Sequence, residues 1–113
     1  MSNDDEHNGW TNRETWAFML YLDNDEDTQN MTHEFVRDNL VGIYQQDNRR
    51  GATADALRRW ASIMFTRSGW EDAWGCEWPE HLEVCAEDIG STWRIDFYEC
   101  AVHMLEAIDE DSN

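Results

Sequence analysis

Two pairs of His and Cys side chains have a spacing that could hold a metal ion. His81 and Cys85 lie four residues apart, and Cys100 and His103 lie three apart. On a helix either spacing places both side chains on one face, so two such helices could complete a tetrahedral zinc site. The spacing matches no standard zinc signature, however, and Cys85 also falls in an apolar stripe, where a buried thiol fits equally well. Zinc is therefore a weak candidate, and no cofactor is predicted.

Carboxylates are abundant, but their positions do not favour catalysis. A working acid and base pair needs one carboxyl group desolvated in a cleft, whereas nearly all of these acids fall on predicted solvated helix faces. The sequence also contains no Gly-rich phosphate loop, nucleophile elbow or His-Glu-x-x-His motif. We therefore predict a protein that binds a partner and is not an enzyme.

One predicted helix carries a regular row of acids. Glu80, Glu83 and Glu87 are spaced three and four apart, so their side chains repeat every ~5 to 6 Å along one face. This repeat is close to the spacing of phosphates on a nucleic acid strand. A helix with such a row could occupy a protein groove built for DNA or RNA. The candidate binding residues are this row and its acidic neighbours: Glu71, Asp72, Glu77, Glu80, Glu83, Glu87 and Asp88.

The net charge restricts the class of partner. Twenty-five Asp and Glu residues stand against eight Arg, with no Lys, which gives a net charge of −17. Such a chain repels phosphates and anionic lipid, so direct binding to nucleic acid or a membrane is not expected. The expected partner is the basic surface of a nucleic-acid-binding protein.

The positive charge is concentrated in the middle of the chain. Residues 49–67 contain five Arg and one Asp, while the flanking segments are strongly acidic. Asp55 and Arg59 can pair across one helical turn, and Arg58 can lie along an apolar edge. The remaining Arg side chains could dock on an acidic face of a second copy, so a homodimer is possible.

Two interpretations of the acidity stay open. The absence of Lys and the presence of only five Ile are typical of proteins adapted to high intracellular salt, in which acids form a solvated coat. Alternatively, the acids imitate nucleic acid. A further alternative is a virion accessory protein that binds through exposed Trp70, Trp74 and Trp78.

The length of 113 residues suits one domain. We expect a helical domain over residues 9–108, between flexible acidic ends at 1–8 and 109–113. Because no apolar stretch could span a membrane and no signal sequence is apparent, a cytoplasmic protein is expected. The three Cys residues then predict reduced, buried thiols.

Apolar residues recur at helical spacing along most of the chain, which predicts an all-α, compact bundle of about five helices. Thr11 and Glu14 match a capping box at the start of the first helix, Asp96 and Glu99 match another before the last helix, and Thr53 is a candidate cap for the third. Pro79 suits the first turn of the fourth helix, and Gly90 suits its end. Gly69 is expected to end the third helix, and residues 70–78 remain unassigned. The predicted helices cover about 12–22, 28–46, 53–68, 79–89 and 97–108, with a turn at 48–51.

The segment Gly9-Trp-Thr-Asn-Arg-Glu-Thr-Trp16 resembles the opening box, Trp-Thr-Asn-x-Glu-Thr-Trp, of a family of small uncharacterised proteins encoded largely by phages and other mobile elements. Ile95-Asp-Phe-Tyr-Glu-Cys-Ala101 is similar to the other recurring segment of that family. The resemblance implies a helical fold and a mobile-element origin, but no activity.

The box also has a direct physical interpretation. Thr11 and Glu14 would cap the helix while Trp10 and Trp16 hold its start against the core. The alternative is a binding surface built from Trp10, Asn12 and Arg13. Combined with the acidity, the resemblance leads to the hypothesis of a nucleic-acid mimic that inhibits a host defence protein of the CRISPR-Cas or restriction type.

Overall fold

The computed structural model describes residues 9–90 and 92–111, and this part of the chain is all-helical with no strand. The prediction of an all-α protein is therefore confirmed, with six α-helices where about five were expected. The additional helix, Arg67–Trp74, replaces the end of the predicted third helix and the first part of the segment 70–78 that the sequence left unassigned. The helices are α1 (Arg13–Asp23), α2 (Glu26–Asn39), α3 (Gln46–Met64), α4 (Arg67–Trp74), α5 (Glu80–Ile89) and α6 (Phe97–Asp111), with a 3-10 turn at Thr92–Arg94.

Helix α3 is the centre of the molecule and packs against α2, α4 and, most extensively, α6. Its Trp60 is almost completely buried, and the indole Nε1 of Trp60 donates a hydrogen bond of 2.8 Å to Thr32 Oγ1 on α2. Phe18 of α1 makes edge contacts with Phe65 and Phe97. One continuous apolar core thus joins the helices.

The start of α1 differs from the predicted capping box. Asn12, not Thr11, is the N-cap, and its Oδ1 accepts bonds from the backbone N and the hydroxyl of Thr15 at 2.8 and 2.7 Å. Thr11 instead donates its backbone N–H to Glu99 on α6, and Glu14 lies 3.6 Å from Arg94. Both Asn and Thr can cap a helix, and here the long-range bond to Glu99 occupies Thr11.

The boundary between α2 and α3 also differs from the prediction. Helix α2 ends at Asn39, and α3 begins at Gln46, so the expected turn at 48–51 is helical and Thr53 is buried within α3. The chain reverses at 40–45, where Gly42 has a φ of +81°. The apolar residues of this connection misled the helix prediction, because Val41 and Tyr44 are 81% and 87% exposed.

Gly69 does not end a helix, but lies inside α4. Thr66 caps α4 by accepting the backbone N–H of Gly69 at 3.1 Å, and Gly75, with a φ of +67°, ends it. A side chain at position 69 would meet the carbonyl oxygen of Ser62 on α3, since a Cβ there would lie only 1.9 Å from it. Gly69 therefore permits the close crossing of α3 and α4.

The last two helices agree well with the sequence. Helix α5 follows Pro79 and ends before Gly90, whose φ is +81°. Asp96 accepts the backbone N–H of Glu99 at 3.0 Å, as predicted for the start of α6. Helix α6 continues beyond the predicted end to Asp111, into the expected acidic tail. The expected flexible segment 1–8 and residues 112–113 lie outside the described residues.

Candidate functional site

An acidic groove lies between α4 and α5. Glu71 of α4, Glu77 of the connection, and Glu80 and Glu83 of α5 line it. Its volume is about 670 Å³, and Trp78 and Pro79 provide the apolar part of its wall. Among the residues that the structure describes, Arg67 is the only basic one that lines it. The groove therefore gathers four carboxylates from two helices and the segment between them.

Local packing determines which way these acids point. The indole Nε1 of Trp78 donates to the backbone oxygen of Met64 at 2.9 Å, which anchors the α4–α5 connection to the end of α3. On α5, Leu82 and Ile89 are buried in the core. Because they occupy the inner face of α5, Glu80 and Glu83 lie on the side that borders the groove.

The charge of the groove is only partly compensated. Arg67 and Glu83 approach to 4.0 Å between Nη2 and Oε1, at the outer limit for an ion pair, and both side chains are largely exposed. One guanidinium therefore faces four carboxylates, and the groove keeps a clear negative excess. Such a surface favours positively charged partners.

The structure brings together four of the seven acids proposed for partner binding: Glu71, Glu77, Glu80 and Glu83. Asp72 and Glu87 are exposed but do not line the groove. Of the row predicted on α5, Glu80 and Glu83 share the groove with upstream acids, whereas Glu87 lies one turn beyond it.

Asp88 has a different role from the one proposed. It accepts hydrogen bonds from Arg13 Nη2 at 3.0 Å and from the hydroxyl of Tyr21, both on α1. The bond to Asp88 and, to a lesser extent, desolvation raise the pKa of Tyr21 to about 12. Asp88 therefore links α5 to α1 instead of facing a partner.

The residues of the Trp-Thr-Asn box connect α1 to the C-terminal part of the chain. Asn12 is buried, and its Nδ2 donates to the backbone oxygen of Arg94 at 2.8 Å. The Trp10 ring lies 4.4 Å from the His103 ring, measured between centroids. With Arg13 bonded to Asp88, the proposed surface of Trp10, Asn12 and Arg13 is engaged within the molecule, which supports the structural interpretation of the box.

Residues 3–64, which include this box, match the model of a family of unknown function, DUF7249. The chain belongs to this family. No curated protein and no solved structure matches it. The four groove acids of this DUF7249 protein all lie outside the matched segment, so family membership carries no information about the groove.

The DUF7249 protein does not assemble the proposed zinc ligands. Within residues 9–90 and 92–111, no three His, Cys, Asp or Glu side chains are placed to hold a metal ion. His81 is exposed, while Cys100 is buried, and burial raises the pKa of its thiol. His103 packs against Trp10 instead. The expectation of buried thiols holds for Cys100, but Cys76 is exposed and Cys85 is only partly buried.

The Arg-rich segment lies mostly on α3, and several of its charges are paired with acids of the molecule. Arg49 pairs with Asp109 of α6 at 3.1 Å. Asp55 pairs with Arg58 at 3.2 Å, and not with Arg59 as predicted. Arg58 also lies over the Phe97 ring, 5.5 Å from its centroid, in agreement with the expected apolar contact. Arg59 bonds the neutral Asn39 side chain and stays exposed, so part of the positive charge of this segment is not paired with an acid in the described part of the chain.

Proposed function

We propose that this protein binds the basic, nucleic-acid-binding surface of another protein by imitating nucleic acid. The observation that carries the proposal is the convergence of Glu71, Glu77, Glu80 and Glu83 on one groove with a single Arg. Carboxylates held by helices keep their positions when a partner binds, so they lose less entropy than acids on a disordered tail would.

The internal use of the Arg side chains supports the same proposal. Arg49, Arg50 and Arg58 each form an ion pair with an acid of the chain. These pairs reduce the positive charge that the Arg-rich segment presents as a competing basic surface. A net charge of −17 then steers the protein towards basic surfaces and away from nucleic acid itself.

The proposed biological setting follows from the resemblance to phage and mobile-element proteins. In that setting the partner is a defence protein of the host, of the CRISPR-Cas or restriction type, and inhibition takes place in the host cytoplasm. An inhibitor of this kind needs no catalysis, because occupying the groove that DNA or RNA requires is sufficient.

Affinity capture from host lysate tests the proposal directly. The immobilised protein is exposed to the lysate, and retained proteins are identified at about 0.1 M and about 1 M NaCl. We expect a nucleic-acid-binding protein that is retained only at low salt and is released by double-stranded DNA. Retention that high salt barely weakens would contradict an electrostatic mimic.

Matched variants locate the binding surface. In the groove variant, Glu71, Glu77 and Glu80 are changed to Gln. In the control variant, three exposed acids that line neither the groove nor any other described pocket, Glu26, Asp27 and Glu106, are changed to Asn or Gln, so that the net charge is the same. We expect the groove variant to bind the captured protein at least ~10-fold more weakly than the control. Equal binding by the two variants would exclude the groove as the site.

Salt adaptation remains the alternative, and one observation favours it. Exposed acids are not confined to the groove, since α2 alone displays Glu26, Asp27, Glu34 and Asp38. A dispersed coat of this kind keeps a protein soluble in concentrated salt without any partner. Under that alternative, the fold itself should depend on salt.

A further inference from the structure

A second pocket lies between α2, α3 and the C-terminal end of α4. We call it the α2–α4 pocket, and its volume is about 320 Å³. Aromatic rings form its floor: Phe35 stacks on Trp60 with the ring centroids 4.6 Å apart and the planes at 28°. The lining residues are Met31, Glu34, Phe35, Asp38, Trp60 and Trp74.

The floor of this pocket is held in place, and its edge is accessible. Trp60 is only 2% exposed, and its hydrogen bond to Thr32 fixes the orientation of the ring. In contrast, Met31 and Trp74 are 38% and 46% exposed. A ligand can therefore reach the Trp74 ring and the Met31 side chain at the edge of the pocket.

Two carboxylates stand at the edge of the aromatic floor. Glu34 and Asp38 are four residues apart on α2, so they occupy the same face of that helix. Over the described ranges, no basic side chain pairs with either of them. The nearby Arg59 instead bonds Asn39 through Nη2 at 2.6 Å. The pocket thus combines unpaired negative charge with exposed aromatic surface.

This combination defines the chemistry of the occupant. Aromatic faces attract cations, and an apolar floor accepts the aliphatic part of a long basic side chain. A guanidinium suits the pocket better than an ammonium, because it is planar, stacks on Trp and presents several N–H donors to two carboxylates.

We propose that the α2–α4 pocket binds an arginine side chain of a protein partner. The guanidinium would stack on the Trp74 ring and donate to Glu34 and Asp38, while the aliphatic stem would contact Met31 and Phe35. This inference rests on the proposed function in that the partner is a basic protein, but the α2–α4 pocket shares no lining residue with the acidic groove.

Nuclear magnetic resonance of the full chain can test the inference with a defined probe. The probe is a short peptide of alternating arginine and glycine, and the signals followed are the indole N–H resonances, with that of Trp74 assigned from the Trp74→Phe variant. We expect the Trp74 resonance to shift on titration. The same peptide with citrulline, which is neutral but similar in shape, should leave it unchanged, and a lysine peptide should bind more weakly.

Two variants with equal charge separate the pocket from the groove. Glu34→Gln with Asp38→Asn should weaken arginine-peptide binding at Trp74 about 10-fold, whereas Glu71→Gln with Glu77→Gln should change it less than about 2-fold. A Trp74 resonance that does not move, or equal weakening by both variants, would overturn the inference. The arginine peptide could still shift the Trp74 resonance while affinity capture retains no nucleic-acid-binding protein. That combination would support the pocket and contradict only the proposed function.

Discussion

At the scale of single residues, Asn12 connects three parts of the molecule. Its Oδ1 caps α1 through Thr15, its Nδ2 bonds the backbone oxygen of Arg94, and the hydroxyl of Thr15 in turn accepts the backbone N–H of Asp96 at 2.9 Å. Since Asn12 is buried, its removal would leave these groups without water to replace it.

We predict that Asn12→Ala lowers the free energy of unfolding by about 2 to 3 kcal/mol, because a helix cap and a buried long-range hydrogen bond are lost together. Thr11→Ala is the matched control and should change stability by less than ~0.5 kcal/mol, since Thr11 contributes only its backbone N–H to Glu99. Urea unfolding followed by circular dichroism measures both. A larger effect for Thr11→Ala would favour the capping box expected from the sequence.

At the scale of elements, two glycines in helices have opposite surroundings. Gly69 of α4 faces the Ser62 carbonyl oxygen of α3, whereas a Cβ at Gly51 of α3 would have no heavy atom within 4 Å. The first glycine makes the crossing of two helices possible. The second has no such packing reason, and it only weakens the helix in which it lies.

We predict that Gly69→Ala destabilises the protein by about 1 to 3 kcal/mol, because α4 must move away from α3. Gly51→Ala should instead stabilise it by up to about 1 kcal/mol, since alanine is the better helix former. Thermal unfolding of the two variants gives opposite shifts in the midpoint. Destabilisation by Gly51→Ala would indicate a turn at 48–51, as the sequence first suggested.

At the scale of the whole molecule, the apolar core opposes the repulsion of a highly charged surface. The core takes buried residues from α1, α2, α3, α5 and α6, and Trp70 of α4 packs against it; its large side chains include Trp60, Phe18 and Met104. The ion pairs between helices, Arg13 with Asp88 and Arg49 with Asp109, are partly exposed, so they contribute little to this balance.

We predict that the protein is folded and unfolds cooperatively at about 0.1 M NaCl, with a midpoint that rises only modestly as salt screens the surface charge. The physical reason is that core burial does not depend on screening. Circular dichroism during heating, across a salt series, measures the midpoint. Loss of helical signal below about 1 M salt would instead support salt adaptation as the origin of the acidity.

The sequence predicted the helices correctly wherever tertiary packing did not override the local capping and stop signals. Apolar periodicity predicted the helical class, and the boundaries of α5 followed from Pro79 and Gly90, because proline has the fixed φ of a first helical turn and glycine readily adopts the positive φ that ends a helix. Local signals were misleading at Thr53 and Gly69. Thr and Gly can both lie inside a helix when packing favours it. Here Thr53 is buried in the core side of α3, and Gly69 permits the close crossing of α3 and α4.

Composition by itself determined the strong negative charge and the kind of partner surface that could complement it. Only the tertiary structure decided which acids lie side by side. Four acids line one groove, whereas Asp88 bonds Arg13 of α1 and Asp109 pairs with Arg49. The α2–α4 pocket likewise depends on Trp74 of α4 meeting Glu34 and Asp38 of α2. These residues are far apart in the chain, and they come into contact through helix packing and not through local spacing.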